Sequence, residues 1–143
     1  MLRKISPIIS PDLLSVLHRM GHGDEIVLAD AYFPGESLNP RVLRADGHGI
    51  AALLEGIMPL FTPDQYVENP LVMMAPVPGD VLDPSVEEAY LAAIRNTWPT
   101  IPPVERMERY AFYDRARSAF AIVLSGETAI YGNIILKKGV TME

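Results

Sequence analysis

A histidine held between two glycines stands where a helical pattern gives way to an apolar strand. The stretch reads Met20-Gly21-His22-Gly23-Asp24-Glu25, followed at once by Ile26-Val27-Leu28-Ala29-Asp30. Glycine permits backbone angles and close approaches that a Cβ resists, so Gly21 and Gly23 can present the imidazole at a mouth. An imidazole titrates near neutrality and serves as proton donor or acceptor. The strand that follows ends in the carboxylate of Asp30. In a mostly parallel sheet the strand ends face a crevice where ligands bind. That arrangement would bring His22 and Asp30 near one another, as acid–base work on a small polar substrate requires.

Other residues extend this set. Tyr131 offers a second exchangeable proton, Asn133 both a donor and an acceptor, and Arg109 a planar fork of donors. Asp30 can accept from two hydroxyls or orient a neighbour. Such a kit suits a sugar, which asks for many directional hydroxyl contacts and one acid–base pair. Each group also has a plainer reading: a solvated loop histidine, a surface ion pair for Arg109, a strand aromatic for Tyr131. His18, inside a helical pattern beside Arg19, and His48, at the start of another, read as surface or capping residues.

Several other chemistries find no support. Gly21-His22-Gly23 precedes Asp24 and Glu25, which would repel a phosphate, and no glycine-rich phosphate loop occurs elsewhere. Ser125-Gly126-Glu127 lacks the flanking pattern of a nucleophile elbow. A metal centre from His22, Asp24, Asp30 and His48 has no supporting ligand spacing. With no cysteine there is neither a disulfide framework nor a thiolate site. Neither a metal nor another cofactor is expected.

The 143 residues fit one domain, 1–143, with a real core. A formal net charge of -6 disfavours a nucleic-acid partner. The first residues lack the long apolar run of a secretory signal, and nothing approaches a bilayer-spanning length, so no membrane partner is expected and the cytoplasm is the default location. Hydrophobic residues make up 49% of the chain and the mean hydropathy is +0.15. That is more apolar surface than a small monomer hides, and it points to buried subunit contacts.

The elements that must position these groups follow from pattern. Ser10-Pro11-Asp12 reads as a helix start, Leu13, Leu14, Val16, Leu17 and Met20 recur at helical spacing, and Gly21 should close the helix. Ile26–Ala29 and Leu71–Ala75 are continuous apolar runs of the kind buried on both faces. Tyr32–Pro40 is rich in turn formers and reads as a loop whose aromatic pair, Tyr32 and Phe33, either covers a ligand or packs on the surface. Val42–Gly47 predicts a short strand and turn, Ile50–Met58 a helix, and Asp83-Pro84-Ser85 the start of a helix running to Arg95. Val104–Arg109 is ambiguous, while Tyr110–Arg117 looks helical. Phe120–Leu124 and Tyr131–Leu136, joined through Ser125-Gly126-Glu127, predict a terminal hairpin. The expected class is α/β: a single three-layer domain with a mixed, mostly parallel central sheet flanked by helices.

Residues alone lead to an α/β domain with a small-ligand site. A resemblance goes further. Ile8–Leu14, Met20–Ile26, Val42–Gly47, Pro70–Met74, Arg109–Tyr113 and Tyr131–Val140 together resemble the ribose pyranase and L-fucose mutarotase family nearly end to end. The resemblance implies interconversion of sugar anomers without a cofactor, with His22 as catalytic acid or base. It implies sugar contacts from Asp30, Arg109 and Tyr131-Gly132-Asn133, and a catalytic role for Tyr131 is the accompanying hypothesis. Ribose members of the family tend to place a histidine and a lysine four apart where this chain has Glu105 and Arg109, which favours the fucose branch. The resemblance also implies a ring-like homo-oligomer, commonly a decamer, with sites bordered by adjacent subunits. A ribose mutarotase of the same family and a non-catalytic monosaccharide-binding protein are the alternatives.

Overall fold

The computed structural model describes residues 1–142 of the chain. Helix α1 (Pro11–Arg19) starts at the signal its sequence carries: Ser10 Oγ accepts the Leu13 N–H at 3.1 Å, with Pro11 and Asp12 in the first turn. Helix α4 (Pro84–Arg95) repeats the device, with Asp83 accepting from the Ser85 N–H at 2.9 Å. Between and after them come β1 (Glu25–Ala29), α2 (Gly35–Leu38), β2 (Val42–Ala45), α3 (Ile50–Ile57), β3 (Leu71–Met74), β4 (Glu105–Met107), α5 (Arg109–Ser118), β5 (Ala121–Ser125) and β6 (Ile134–Lys137). The ambiguous segment after Pro103 thus holds a three-residue strand, and the Tyr32–Pro40 loop contains the one-turn helix α2. That turn lies hard against β5: a Cβ on Gly35 would stand 3.0 Å from Leu124 Cδ2.

The strands form one six-stranded sheet in the order β2-β5-β1-β6-β3-β4. Pairs β2–β5, β1–β5 and β3–β4 are parallel, and β6 runs antiparallel between β1 and β3. The sheet is therefore mixed and mostly parallel, as the pattern suggests, but the terminal hairpin does not exist. Strands β5 and β6 follow one another in sequence, yet β1 lies between them. The connection, residues 126–133, crosses the end of β1 instead of turning back on β5. It is tied there by the Ala31 N–H to the Glu127 carbonyl at 2.8 Å and the Asp30 N–H to Asn133 Oδ1 at 2.7 Å.

Alternate residues of each central strand supply two cores, because successive side chains point to opposite faces. Ile26, Leu28, Leu71, Met73, Val123 and Ile134 pack under α1, α3 and α4. Val27, Ala29, Val72, Ile122, Leu124 and Ile135 meet Phe33, Phe112 and Ala116 on the face covered by α2 and α5. Three layers result.

Helix α1 ends differently from the glycine stop expected at Gly21. Met20 already has extended backbone (φ −64°, ψ 134°), and the positive φ, +87°, belongs to Gly23. The reason is Lys138, whose Nζ donates to the Leu17 and Met20 carbonyls at 2.8 and 2.7 Å. An ammonium thus takes the orphan carbonyls that a glycine motif would otherwise satisfy. No described helix is long and apolar enough to cross a membrane.

Candidate active site

Strand β1 runs parallel to β5, and β6 runs antiparallel to both β1 and β3, so the C-terminal ends of β1 and β3 and the start of β6 share one edge of the sheet. A cleft of about 440 Å³ opens there, inside the ordinary range for small-ligand sites. Asp30, Tyr32 and Phe33 line it from the end of β1, Val77 and Asp80 from the loop after β3, Arg109 and Tyr113 from α5, and Ile130, Tyr131 and Asn133 from the approach to β6. Four residues picked from the sequence, Asp30, Arg109, Tyr131 and Asn133, thus meet at one cleft although they are spread over a hundred positions.

Asp30 is buried, 7% exposed, and its Oδ1 accepts the Tyr32 N–H at 2.9 Å. Burial pushes its carboxyl above the usual carboxylate range, while the Tyr32 N–H and the Asn133 amide work against that rise. Asn133 is equally buried and aligned by the Asp30 backbone. Gly132 completes the turn from below: Tyr90, buried in the core, donates its hydroxyl to the Gly132 carbonyl at 2.8 Å. A Cβ on Gly132 would meet that hydroxyl and the Ala129 carbonyl, each at 2.9 Å, so the position accepts no side chain without a shift. Gly132 itself does not line the cleft; it lies between Tyr131 and Asn133, which do.

Tyr131 sits in the left-handed region at φ 60°, which a residue with a Cβ rarely adopts. Its phenol donates to Asp80 Oδ2 and accepts the Val77 N–H at 3.2 Å. The bond to Asp80 raises the phenol's pKa, and the Val77 N–H opposes the rise. Arg109 is exposed, with its Nε donating to the Tyr113 hydroxyl at 3.1 Å and its guanidinium over the Tyr110 and Tyr113 rings. It makes no ion pair among the described residues, which leaves its outward N–H groups free for a ligand.

His22 is not in this cleft. It precedes β1, whereas Asp30 follows it, so the five-residue strand puts roughly 16 Å of extended chain between the two ends. The expectation that His22 and Asp30 lie near one another within a chain is therefore wrong. The glycine-flanked turn and the carboxylate sit at opposite termini of one strand, and a crevice gathers only one terminus. The ring does not face the interior: its side chain is 47% exposed. Its Nε2 lies 3.1 Å from Asp64 Oδ1, and its face meets Tyr66 at 5.3 Å between centroids. Asp64 is buried, and the same Oδ1 accepts the Tyr66 N–H at 3.0 Å. With an acceptor fixed at Nε2, Nδ1 is the nitrogen left for a substrate. His18 and His48 lie outside both places; His48 serves locally, its carbonyl accepting the Gly126 N–H at 2.8 Å.

Sequence reasoning missed Asp64, Asp80, Tyr90 and Tyr113. Asp64 carried a signal: an acid directly after proline whose side chain accepts from two residues on is a recurrent turn, though nothing local ties it to a histidine 42 positions away. Among the described residues no group of three or more histidines, aspartates and glutamates is close enough to hold a metal ion.

A polar crevice over the carboxyl ends of β1 and β3, lined by a buried acid, an unpaired guanidinium and an amide-bearing turn, defines the chain as an α/β protein with a small-ligand site. More particularly, residues 3–141 match the RbsD / FucU transport protein family, and the chain belongs to it. It is 64% identical over 141 residues to an L-fucose mutarotase of Actinobacillus pleuropneumoniae, covering 99% of this chain and 98% of the relative. Identity to an L-fucose mutarotase of Glaesserella parasuis is 63%, over 99% of this chain and 97% of that one. Among solved structures, the fucose mutarotase of Streptococcus pneumoniae in complex with L-fucose superposes with a TM-score of 0.93 at 42% identity, covering 99% of this chain and all of that one. RbsD of Bacillus subtilis complexed with D-ribose shares the fold, with a TM-score of 0.70 at 19% identity over 99% of this chain and 100% of that one.

Proposed function

We propose that this chain interconverts the α and β anomers of L-fucose by acid–base ring opening and closure, without a cofactor. The observation that carries the reading is the convergence of Asp30, Arg109, Tyr131 and Asn133 on one cleft, in a chain 64% identical along its length to an L-fucose mutarotase. In this reading Asp30, Asn133 and Arg109 hold the sugar hydroxyls. One proton leaves the anomeric hydroxyl and another reaches the ring oxygen; the ring opens to the aldehyde, rotates and recloses on the other face. Positioned acid–base groups accelerate such transfers by about a hundred- to ten-thousandfold each.

The second proton-transferring group is His22, delivered by another copy of the chain. A half-exposed imidazole held by a buried carboxylate, at the end of the sheet opposite the cleft, supports this reading. So do two exposed apolar patches: Tyr32, Val77 and Ile130 at the cleft, and Tyr66, Val140 and Met142 near the His22 end. Two different patches on one protomer make a heterologous, head-to-tail contact, and such contacts form a ring where the rotation between copies closes. The reading therefore includes a ring-like homo-oligomer, a decamer, in which the partner subunit's His22 faces the cleft. It also includes a single domain over residues 1–143 and a cytoplasmic location, which cell fractionation checks.

Anomer-resolved saturation-transfer NMR on L-fucose, D-ribose and D-galactose tests the reaction. Accelerated exchange greatest for L-fucose is expected. Binding of L-fucose with no acceleration at any protein concentration would leave a sugar-binding protein instead.

A further inference from the structure

Asp80 belongs to no element and carried no signal in the sequence beyond a proline- and glycine-rich turn, yet it takes the only proton Tyr131 owns. The phenol donates to Asp80 Oδ2, and the Val77 N–H points at the same phenol oxygen from 3.2 Å. A phenol has one donor, so Tyr131 cannot also donate to a sugar while this bond stands. Its oxygen remains open to the cleft as an acceptor. Tyr131 is held in this pose at a backbone angle of φ 60°, and the loop bearing Val77 and Asp80 turns at Gly79, φ 95°. The glycine takes its angle freely, but a tyrosine in the left-handed region persists only where the surroundings over-determine it, and such residues cluster at functional sites. The other titratable or charged groups lining the cleft are Asp30, Tyr32, Arg109 and Tyr113. Of these, Arg109 has no acceptor and Asp30 is the other carboxylate, and the Tyr131 phenol gives its proton to Asp80 Oδ2.

We propose that Asp80 is the terminal proton acceptor of the anomer exchange, acting through Tyr131, and that the pair forms the basic arm of the site. The proposal rests on the mutarotase reading above and deepens it. In ring opening, the anomeric O–H proton passes to the Tyr131 oxygen as the phenol's own proton passes to Asp80. The C1–O–H electron pair becomes the aldehyde π bond. The C1–O5 bond breaks with its pair going to O5, and O5 takes a proton from the imidazolium of the partner subunit's His22. Asp80 ends protonated and the imidazole neutral; reclosure on the other face returns both protons. The Val77 N–H supports the charge that builds on the phenol oxygen during the transfer, as fixed backbone donors do for developing oxyanions. The assignment also settles the division of labour: a tyrosine already donating to a carboxylate accepts from the sugar, so the histidine donates.

The test is a double-mutant cycle in anomer exchange with Asp80→Asn, Tyr131→Phe and the double variant, with Asp80→Glu as the conservative control. Asparagine keeps an acceptor for the phenol and hence the loop latch, but has no basicity. Asp80→Asn is expected to lower kcat about 100-fold with KM unchanged, Asp80→Glu to recover most of the rate, and the double variant to be no slower than Tyr131→Phe. A wild-type-like rate in Asp80→Asn, a rise in KM with kcat intact, or losses that multiply in the double variant would each overturn the proposal. A wild-type protein that accelerates no sugar's exchange overturns the mutarotase reading itself and this assignment with it.

Discussion

The backbone N–H of Asp30 donates to the side-chain oxygen of Asn133 at 2.7 Å, across a sequence separation of 103 residues. This one bond joins the end of β1 to the turn that leads into β6, and it sets where both candidate sugar contacts stand. Asn133→Ala leaves a buried N–H without its acceptor, at a cost of about 1–3 kcal/mol. Thermal unfolding should show that loss, and titration of L-fucose followed by NMR should show weakened binding. An unchanged affinity would remove Asn133 from the site.

Asp30 is the group whose ionisation opposes folding. Its carboxyl is raised by burial, so the folded state holds the proton more tightly than the unfolded chain does. The resulting stability is present below the unfolded pKa and is lost as pH rises through the folded one. Asp30→Asn retains an acceptor for the Tyr32 N–H and removes the charge. The variant should gain stability over the parent in neutral solution, with the gap closing in acid, while L-fucose binding falls. Melting curves across pH check the first part; a gap that widens toward acid would reverse the assignment.

Tyr90 tests whether the floor of the cleft matters. Its hydroxyl, pushed well above the ordinary phenol range by burial and by the Glu127 carboxylate nearby, stays protonated and donates to the Gly132 carbonyl. Tyr90→Phe withdraws that donor from a buried carbonyl, costing about 1–3 kcal/mol. Because Tyr131 and Asn133 flank Gly132, KM for L-fucose should rise along with the fall in melting temperature. A melting change with no change in KM would confine Tyr90 to the core.

Asp64 fixes which imidazole nitrogen of His22 is committed. In Asp64→Asn the amide oxygen still accepts from both the Tyr66 N–H and the His22 ring, as Oδ1 does in the parent, but the carboxylate charge is gone. The ring keeps its tautomer, and the imidazolium that proton transfer requires loses the anion that stabilises it. Anomer exchange should fall about 10- to 100-fold with the fold intact. Parental rates would reduce Asp64 to a turn residue.

Much of this architecture is legible in local chemistry. Ser10 and Asp83 cap helices as their sequence contexts dictate, and the unbroken apolar runs of β1 and β3 announce strands buried on both faces. The same locality explains the misses. Tyr131-Gly132-Asn133 reads as the start of a strand, but the segment is a turn drawn over the end of β1 by Asp30 and Tyr90, contacts made by residues far off in sequence. The absent hairpin has the same origin, since β1 takes the edge of β5 that β6 would have needed. The links of Asp80 to Tyr131 and of Asp64 to His22 are not legible locally, because the fold brings those partners together from 51 and 42 positions away. His22 stands out in the sequence by its glycines, and the expectation that it shares a crevice with Asp30 fails because the two lie at opposite ends of β1.

That displacement supplies the most direct test, because a cleft on one chain served by the imidazole of another must show complementation. His22→Ala and Asp30→Asn, each inactive at low L-fucose alone, are co-expressed with different tags and the mixed assemblies purified through both. Random head-to-tail pairing places an intact cleft against an intact imidazole at about a quarter of the sites. Anomer exchange should return to that fraction of the parental rate. A mixed assembly no more active than its two parents would contradict the shared site.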